Sequence, residues 1–184
     1  LRISKKPNKM KILNTKFNGL KIVEGIKFDD SRGYFREIFL KKLFKKKKFI
    51  FWCMSKSKKN VLRGMHIQTK KTQTKIVSVV KGKILDVVID CRPKSKSFGK
   101  HFKTILSEKN CKSLLIPAGF AHGFLTLNKE NIVFYGTDNY RSANNEVTIS
   151  WNDPIVKINW PTGKKVISSK DKSGVSLKEF VKKI

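Results

Sequence analysis

The 184-residue chain is 39% hydrophobic, 10% aromatic and 30% charged, proportions that support one packed domain and exclude collagen, coiled-coil and wholly disordered classes. It has no run of about 18 apolar residues, and its lysine-rich start lacks the apolar stretch of a secretory signal, so a soluble cytoplasmic protein is expected. The formal net charge of +29 attracts polyanions, but only six of the 42 basic residues are arginine and the lysines are spread along the chain, which reads as a basic solvated surface and not as a dedicated nucleic-acid reader.

Leu1 to Lys9 is polar and without periodicity, so it is expected to be a disordered extension, with a single domain running from Met10 to Ile184. From there Gly19, Gly25, Gly33, Gly64, Gly82, Gly99, Gly119 and Gly136 punctuate short β-branched and aromatic runs, the spacing of an all-β sandwich or barrel. Phe39 and Leu43, then Leu40 and Phe44, repeat at four residues and predict a short helix ending in the Lys45 to Lys48 run, where cations suit the negative end of the dipole. Lys75 to Val80 and Lys83 to Asp90 flank Lys81-Gly82 and predict a hairpin whose arms are buried on both faces. In Lys100 to Leu106, Phe102, Thr104 and Leu106 share a strand face, which leaves His101 on the other with a surface or structural role. Ile116 to Ala121 reads as a turn feeding an apolar strand from Gly123 to Leu127. Ser176 and Glu179 have the spacing of a capping box ahead of Phe180 and Val181, which predicts a closing helix. No βαβ alternation, repeat or linker intervenes. Cys53, Cys91 and Cys111 are odd in number and widely spaced, so they make neither a disulfide framework nor a paired zinc signature.

Two histidines carry the chemical interest. His66 sits in Arg63-Gly64-Met65-His66-Ile67-Gln68, and His122 follows Ile116-Pro117-Ala118-Gly119-Phe120-Ala121. Imidazole is the side chain best suited to move protons near neutral pH, yet a lone histidine on a strand is more often structural, and the residues alone leave both readings open.

Arg63 to His66, Gln73 to Val77, Gly82 to Asp90 with Arg92, Ser97 to Lys100, Ile116 to Phe124, Tyr135 to Tyr140, Trp151 to Pro154 and Trp160-Pro161 stand in one order. That order, with Phe28 to Phe35 upstream and Ser169-Lys170-Asp171 downstream, resembles the dTDP-4-dehydrorhamnose 3,5-epimerases from about Met10 to the end. The resemblance implies a cupin-type jelly roll with short peripheral helices, usually a homodimer, acting on a nucleotide-linked keto sugar on the route to a rhamnose-like polysaccharide such as O-antigen. Epimerisation beside a ketone needs a base, a holder for the enolate and an acid on the opposite face. By the resemblance His66 is the base, Asp171 its orienting carboxylate, Lys75 the partner of the enolate oxygen and Tyr135 the acid. Arg63 and Lys170 are implied as ligands of the sugar or diphosphate, Arg32 as a nucleotide contact and His122 as a wall of the same pocket.

The chain departs from the family pattern at three places. Phe51-Trp52-Cys53-Met54-Ser55 stands where members commonly carry a glutamine and an asparagine for the nucleotide end, and an aromatic can stack on a base but cannot replace an amide's donor and acceptor. The loop from His66 to Gln73 is one residue shorter, and Asn139 stands where a second tyrosine is frequent beside Tyr140. Pro117 to His122 also matches the second motif of metal-binding cupins, but the first motif wants two histidines one residue apart and here offers His66 and Gln68. A metal-free, cofactor-free reaction is therefore expected, with a single-centre epimerase as the alternative. A non-catalytic binding protein of the same fold would most simply have lost His66, Lys75, Tyr135 or Asp171, and all four are present.

Overall fold

The computed structural model describes residues 9–44 and 48–183; the expected extension up to residue 8 and Lys45 to Lys47 of the lysine run lie outside them. Short strands β1 (Lys11–Asn14), β2 (Lys21–Glu24), β3 (Lys27–Asp30) and β4 (Gly33–Arg36) precede a 3-10 turn at Lys41–Phe44. Longer strands follow: β5 (Phe51–Lys58), β6 (Val61–Gln68), β7 (Lys75–Lys81), β8 (Lys83–Asp90), β9 (His101–Ser107), β10 (Lys112–Ile116), β11 (Phe120–Thr126) and β12 (Glu130–Thr137). The chain closes with β13 (Glu146–Thr148), β14 (Val166–Ile167) and two short helices, α1 (Ser169–Lys172) and α2 (Leu177–Val181).

The strands make two sheets, one ordered β1-β2-β10-β7-β12-β5 and one ordered β13-β6-β11-β8-β9 with β14 beside β6, while β3 and β4 pair only with each other. The sheets pack face to face as a jelly-roll sandwich. Val77, Val79, Leu114 and Val133 of the first meet Ile84, Val88, Leu106, Phe120 and Phe124 of the second in one inter-sheet core. The outer face of the second sheet is covered by the C-terminal segment, where Ile149, Val156, Ile158, Trp160, Leu177 and Phe180 pack on Met65, Ile67, Val87 and Ile89. Phe39, Leu40, Leu43, Phe44 and Phe49 cover part of the other outer face over Ile76 and Leu115. Strands with both faces covered in this way are near-continuously apolar.

That double burial explains one correction. Lys75 to Val80 and Lys83 to Asp90 are strands, but they do not form a hairpin: β7 pairs with β10 and β12, β8 pairs with β9 and β11, and Gly82 carries the chain from one sheet to the other. Gly82 turns with φ +83, and a Cβ there would meet the Glu130 carbonyl oxygen at 2.4 Å. The expected helix over Phe39 to Phe44 is a single 3-10 turn. The closing helix forms as expected, with Ser176 and Glu179 in a reciprocal capping box. His101 is structural, its Nδ1 lying 3.0 Å from the Val156 carbonyl oxygen. Among the described residues no helix is long and apolar enough to cross a membrane.

Candidate active site

A cavity of about 380 Å³ opens between the sheets toward the edge formed by β5 and β13, and it is lined by Arg63, His66, Lys75, His122, Tyr135, Lys170 and Asp171 together. Strand register places them. In the first sheet Tyr135 pairs with Val77 and Thr137 with Lys75, so Lys75, Val77 and Tyr135 share the inner face. In the second sheet His122 pairs with His66 and with Val88, and Val88 belongs to the inter-sheet core, so both imidazoles project inward from the facing wall.

The two histidines meet because two glycines let their strands close in. A Cβ on Gly64 would lie 2.5 Å from Gly123 Cα, and one on Gly123 would lie 2.6 Å from the Arg63 carbonyl oxygen. Gly64 also takes φ +121, which side-chain-bearing residues rarely adopt. The register shifts at this contact, between His122 and Phe124.

Each histidine is held by a buried carboxylate. His66 Nε2 lies 2.7 Å from Asp171 Oδ1, and the backbone N–H of Gly64 donates to Asp171 Oδ2 at 3.3 Å. Asp171 reaches this position from the single turn of α1, whose N-cap Ser168 accepts from the Asp171 N–H at 3.1 Å. Burial alone would push the Asp171 carboxyl up, but the hydrogen bond and charge of His66, with the Gly64 N–H and Ser168, hold it below the usual carboxylate range. His122 Nε2 lies 2.9 Å from Oδ2 of Asp86, a fully buried residue on β8.

The opposite wall has different chemistry. Burial pushes the Tyr135 hydroxyl above its ordinary value, helped by the neighbouring Cys53 thiol and opposed by Arg63 and Arg141, so it stays protonated at neutral pH. Burial pulls the Lys75 ammonium down, while the charges of Glu146 and Asp86 act the other way. On the histidine side, Arg63 of β6 reaches across to Ser57 of β5, its Nε donating to Ser57 Oγ at 3.1 Å. Lys170 lines the cavity while ion-paired to Glu146.

Arg32 is the exception. It stands at the tip of the β3–β4 hairpin, its side chain 88% exposed and paired with Asp30 at 2.6 Å, and it does not line the cavity of its own chain. Glu146, Arg141 and Asp86 were not anticipated. Asp86 carried a signal, a lone carboxylate inside the apolar run Ile84 to Ile89, but Glu146 and Arg141 become visible only once β13 is placed against β6. Among the described residues no group of three or more His, Cys, Asp and Glu could hold a metal ion. Phe51 and Cys53 do face the cavity, so the altered β5 segment forms part of its wall.

The family profile of dTDP-4-dehydrorhamnose 3,5-epimerase matches residues 14–179. The chain is 39% identical to the dTDP-4-dehydrorhamnose 3,5-epimerase of Shigella flexneri over 171 residues, covering 90% of this chain and 94% of that one. It is also 39% identical to the Neisseria gonorrhoeae enzyme of the same name over 90% of its own length, but it spans about half, 52%, of that relative. Among solved structures it is similar to the dTDP-6-deoxy-D-glucose-3,5-epimerase of Legionella pneumophila in complex with dTDP-4-keto-L-rhamnose, with a TM-score of 0.88, 38% identity, and coverage of 92% and 93% of the two chains.

Proposed function

The chain belongs to the dTDP-4-dehydrorhamnose 3,5-epimerase family, and from that premise we propose that it converts dTDP-4-dehydro-6-deoxy-D-glucose to dTDP-4-dehydro-L-rhamnose with the residues gathered in the inter-sheet cavity. The observation that carries the reading is that His66 and Tyr135 approach one cavity from opposite sheets. Inversion at carbon needs a proton removed from one face and returned to the other.

With its Nε2–H donated to Asp171, His66 has its other ring nitrogen, Nδ1, available as the base. It takes the proton from the carbon beside the ketone, and the C–H electron pair moves into the carbonyl to form an enolate. The Lys75 ammonium meets the charge on that oxygen. Tyr135, kept protonated by its burial, returns a proton from the other wall, leaving a tyrosinate and an imidazolium that exchange protons with water before the second centre reacts. Asp171 holds the imidazole orientation and stabilises its charged form. Arg63 and Lys170 are ligands for the anionic part of the substrate and His122 is a wall held by Asp86.

We also infer a homodimer. The β3–β4 hairpin exposes Phe28 and Phe35 side by side on one face, at 53% and 66%, and Tyr34 on the other, at 51%, apolar side chains that a second copy would cover. Arg32 at its tip would then serve the partner's cavity. Proton NMR in heavy water with dTDP-4-keto-6-deoxyglucose tests the activity. Deuterium is expected at both carbon 3 and carbon 5; entry at one carbon alone indicates a single-centre epimerase, and entry at neither overturns the reading.

A further inference from the structure

Glu146 sits where an anion is least expected. Its neighbour Thr148 pairs with His66 and Glu146 itself pairs with Gln68, so its side chain shares the inner face with the imidazole and lines the cavity. The carboxylate is only 11% exposed, yet it pairs with two half-exposed cations at the cavity mouth, Lys170 through Oε1 and Arg141 through Oε2 at 3.3 Å. Burial acts to push this carboxyl up, but the hydrogen bonds from Lys170 and Arg141 outweigh it and hold it below the usual range, so it is ionised at neutral pH. Two of the cavity's cations suited to receive a substrate anion are thus already occupied by a carboxylate of the protein.

We propose that Glu146 is a built-in counter-ion whose carboxylate competes with the substrate's diphosphate for Arg141 and Lys170, and so limits how tightly the site holds the nucleotide end. The physical reason is exchange: neither cation is bare before or after binding, and the incoming anion replaces one oxygen ligand by another. On a chain with a formal charge of +29, a site of unneutralised cations would hold any diphosphate, product included, and release would be slow. This inference rests on the epimerase reading, because it takes a nucleoside diphosphate as the ligand.

Calorimetric titration of thymidine diphosphate tests it. Glu146→Gln is expected to tighten binding by about fivefold or more, the order of effect of one close charge near a protein surface. In an Arg141→Met, Lys170→Met background the same substitution is expected to change affinity less than about twofold, because the two cations through which Glu146 acts are gone. Glu146→Ala removes the same charge without an amide and gives the same sign should the glutamine variant misfold. Unchanged or weaker binding in both Glu146 variants, or equal tightening without the two cations, overturns the proposal. A wild-type chain that binds no thymidine diphosphate fails earlier and overturns the epimerase reading itself.

Discussion

Asp171 and Asp90 are equally hidden, at 4% and 0% exposure, yet they end in opposite situations. Asp90 closes a local knot at the end of β8: it accepts from Arg92 Nε at 2.8 Å, Arg92 Nη2 at 2.7 Å, the Arg92 backbone N–H at 3.1 Å, and the hydroxyls of Ser95 and Ser97 at 2.6 Å each. Asp171 gathers partners from a distant strand, one of them an imidazole that lines a cavity. A carboxylate saturated by its own turn stabilises that turn and does nothing else. A carboxylate that orients a base with a ring nitrogen to spare leaves reactivity in place, and saturation separates the two roles better than burial does.

The comparison breaks first at the Asp171 end. His66→Ala is expected to lower deuterium exchange at both carbons by about 10²–10⁴-fold, the usual worth of a positioned general base, while circular dichroism stays native because the side chain lines a cavity and is not packed in the core. Tyr135→Phe sharpens the point. It removes the proposed acid and keeps the proposed base, so deuterium exchange is expected to persist where His66→Ala lowers it by orders of magnitude, while net epimerisation falls by about 10²-fold. Wild-type exchange in His66→Ala would remove the imidazole from the chemistry.

At the Asp90 end the expected loss is stability, not turnover. Burial would raise the Asp90 carboxyl, but the bonds from Arg92, Ser95 and Ser97 bring it down to about 2. A carboxyl lowered on folding contributes its stabilisation above its unfolded value, and that contribution is lost as pH falls through the folded value. Asp90→Asn is therefore expected to cost about 2 kcal/mol at neutral pH in urea unfolding, with the gap from wild type closing between about pH 4 and pH 2. Activity per folded molecule should be nearly unchanged. A gap independent of pH would show that the carboxylate charge is not what holds the turn.

The contrast also marks what could be read before the fold was known. The strands were legible because glycines punctuate apolar runs, and α2 because its capping box is local. Whether β7 pairs with β8 was not legible: two strands buried on both faces look alike whether they share a ladder or cross between sheets. His66 and Asp171 were reached through the family resemblance, since they are 105 residues apart and nothing local joins them. Glu146 and Arg141 escaped for the same reason, because their contribution exists only in the register of β13 on β6.

The smallest expected effect belongs to Arg32, and it tests whether the cavity is complete in one chain. The Arg32–Asp30 pair is exposed, so removing it should leave folding untouched. If the partner's hairpin completes the site, Arg32→Ala should raise KM by about three- to tenfold with kcat nearly constant, the pattern of lost uniform binding. Mixed dimers then decide whose site it serves. In a dimer of one Arg32→Ala chain and one His66→Ala chain, a hairpin that crosses over puts the intact Arg32 beside the intact His66 and restores wild-type KM at that site. A hairpin that stays with its own chain leaves the only active His66 without Arg32, and KM remains high after mixing.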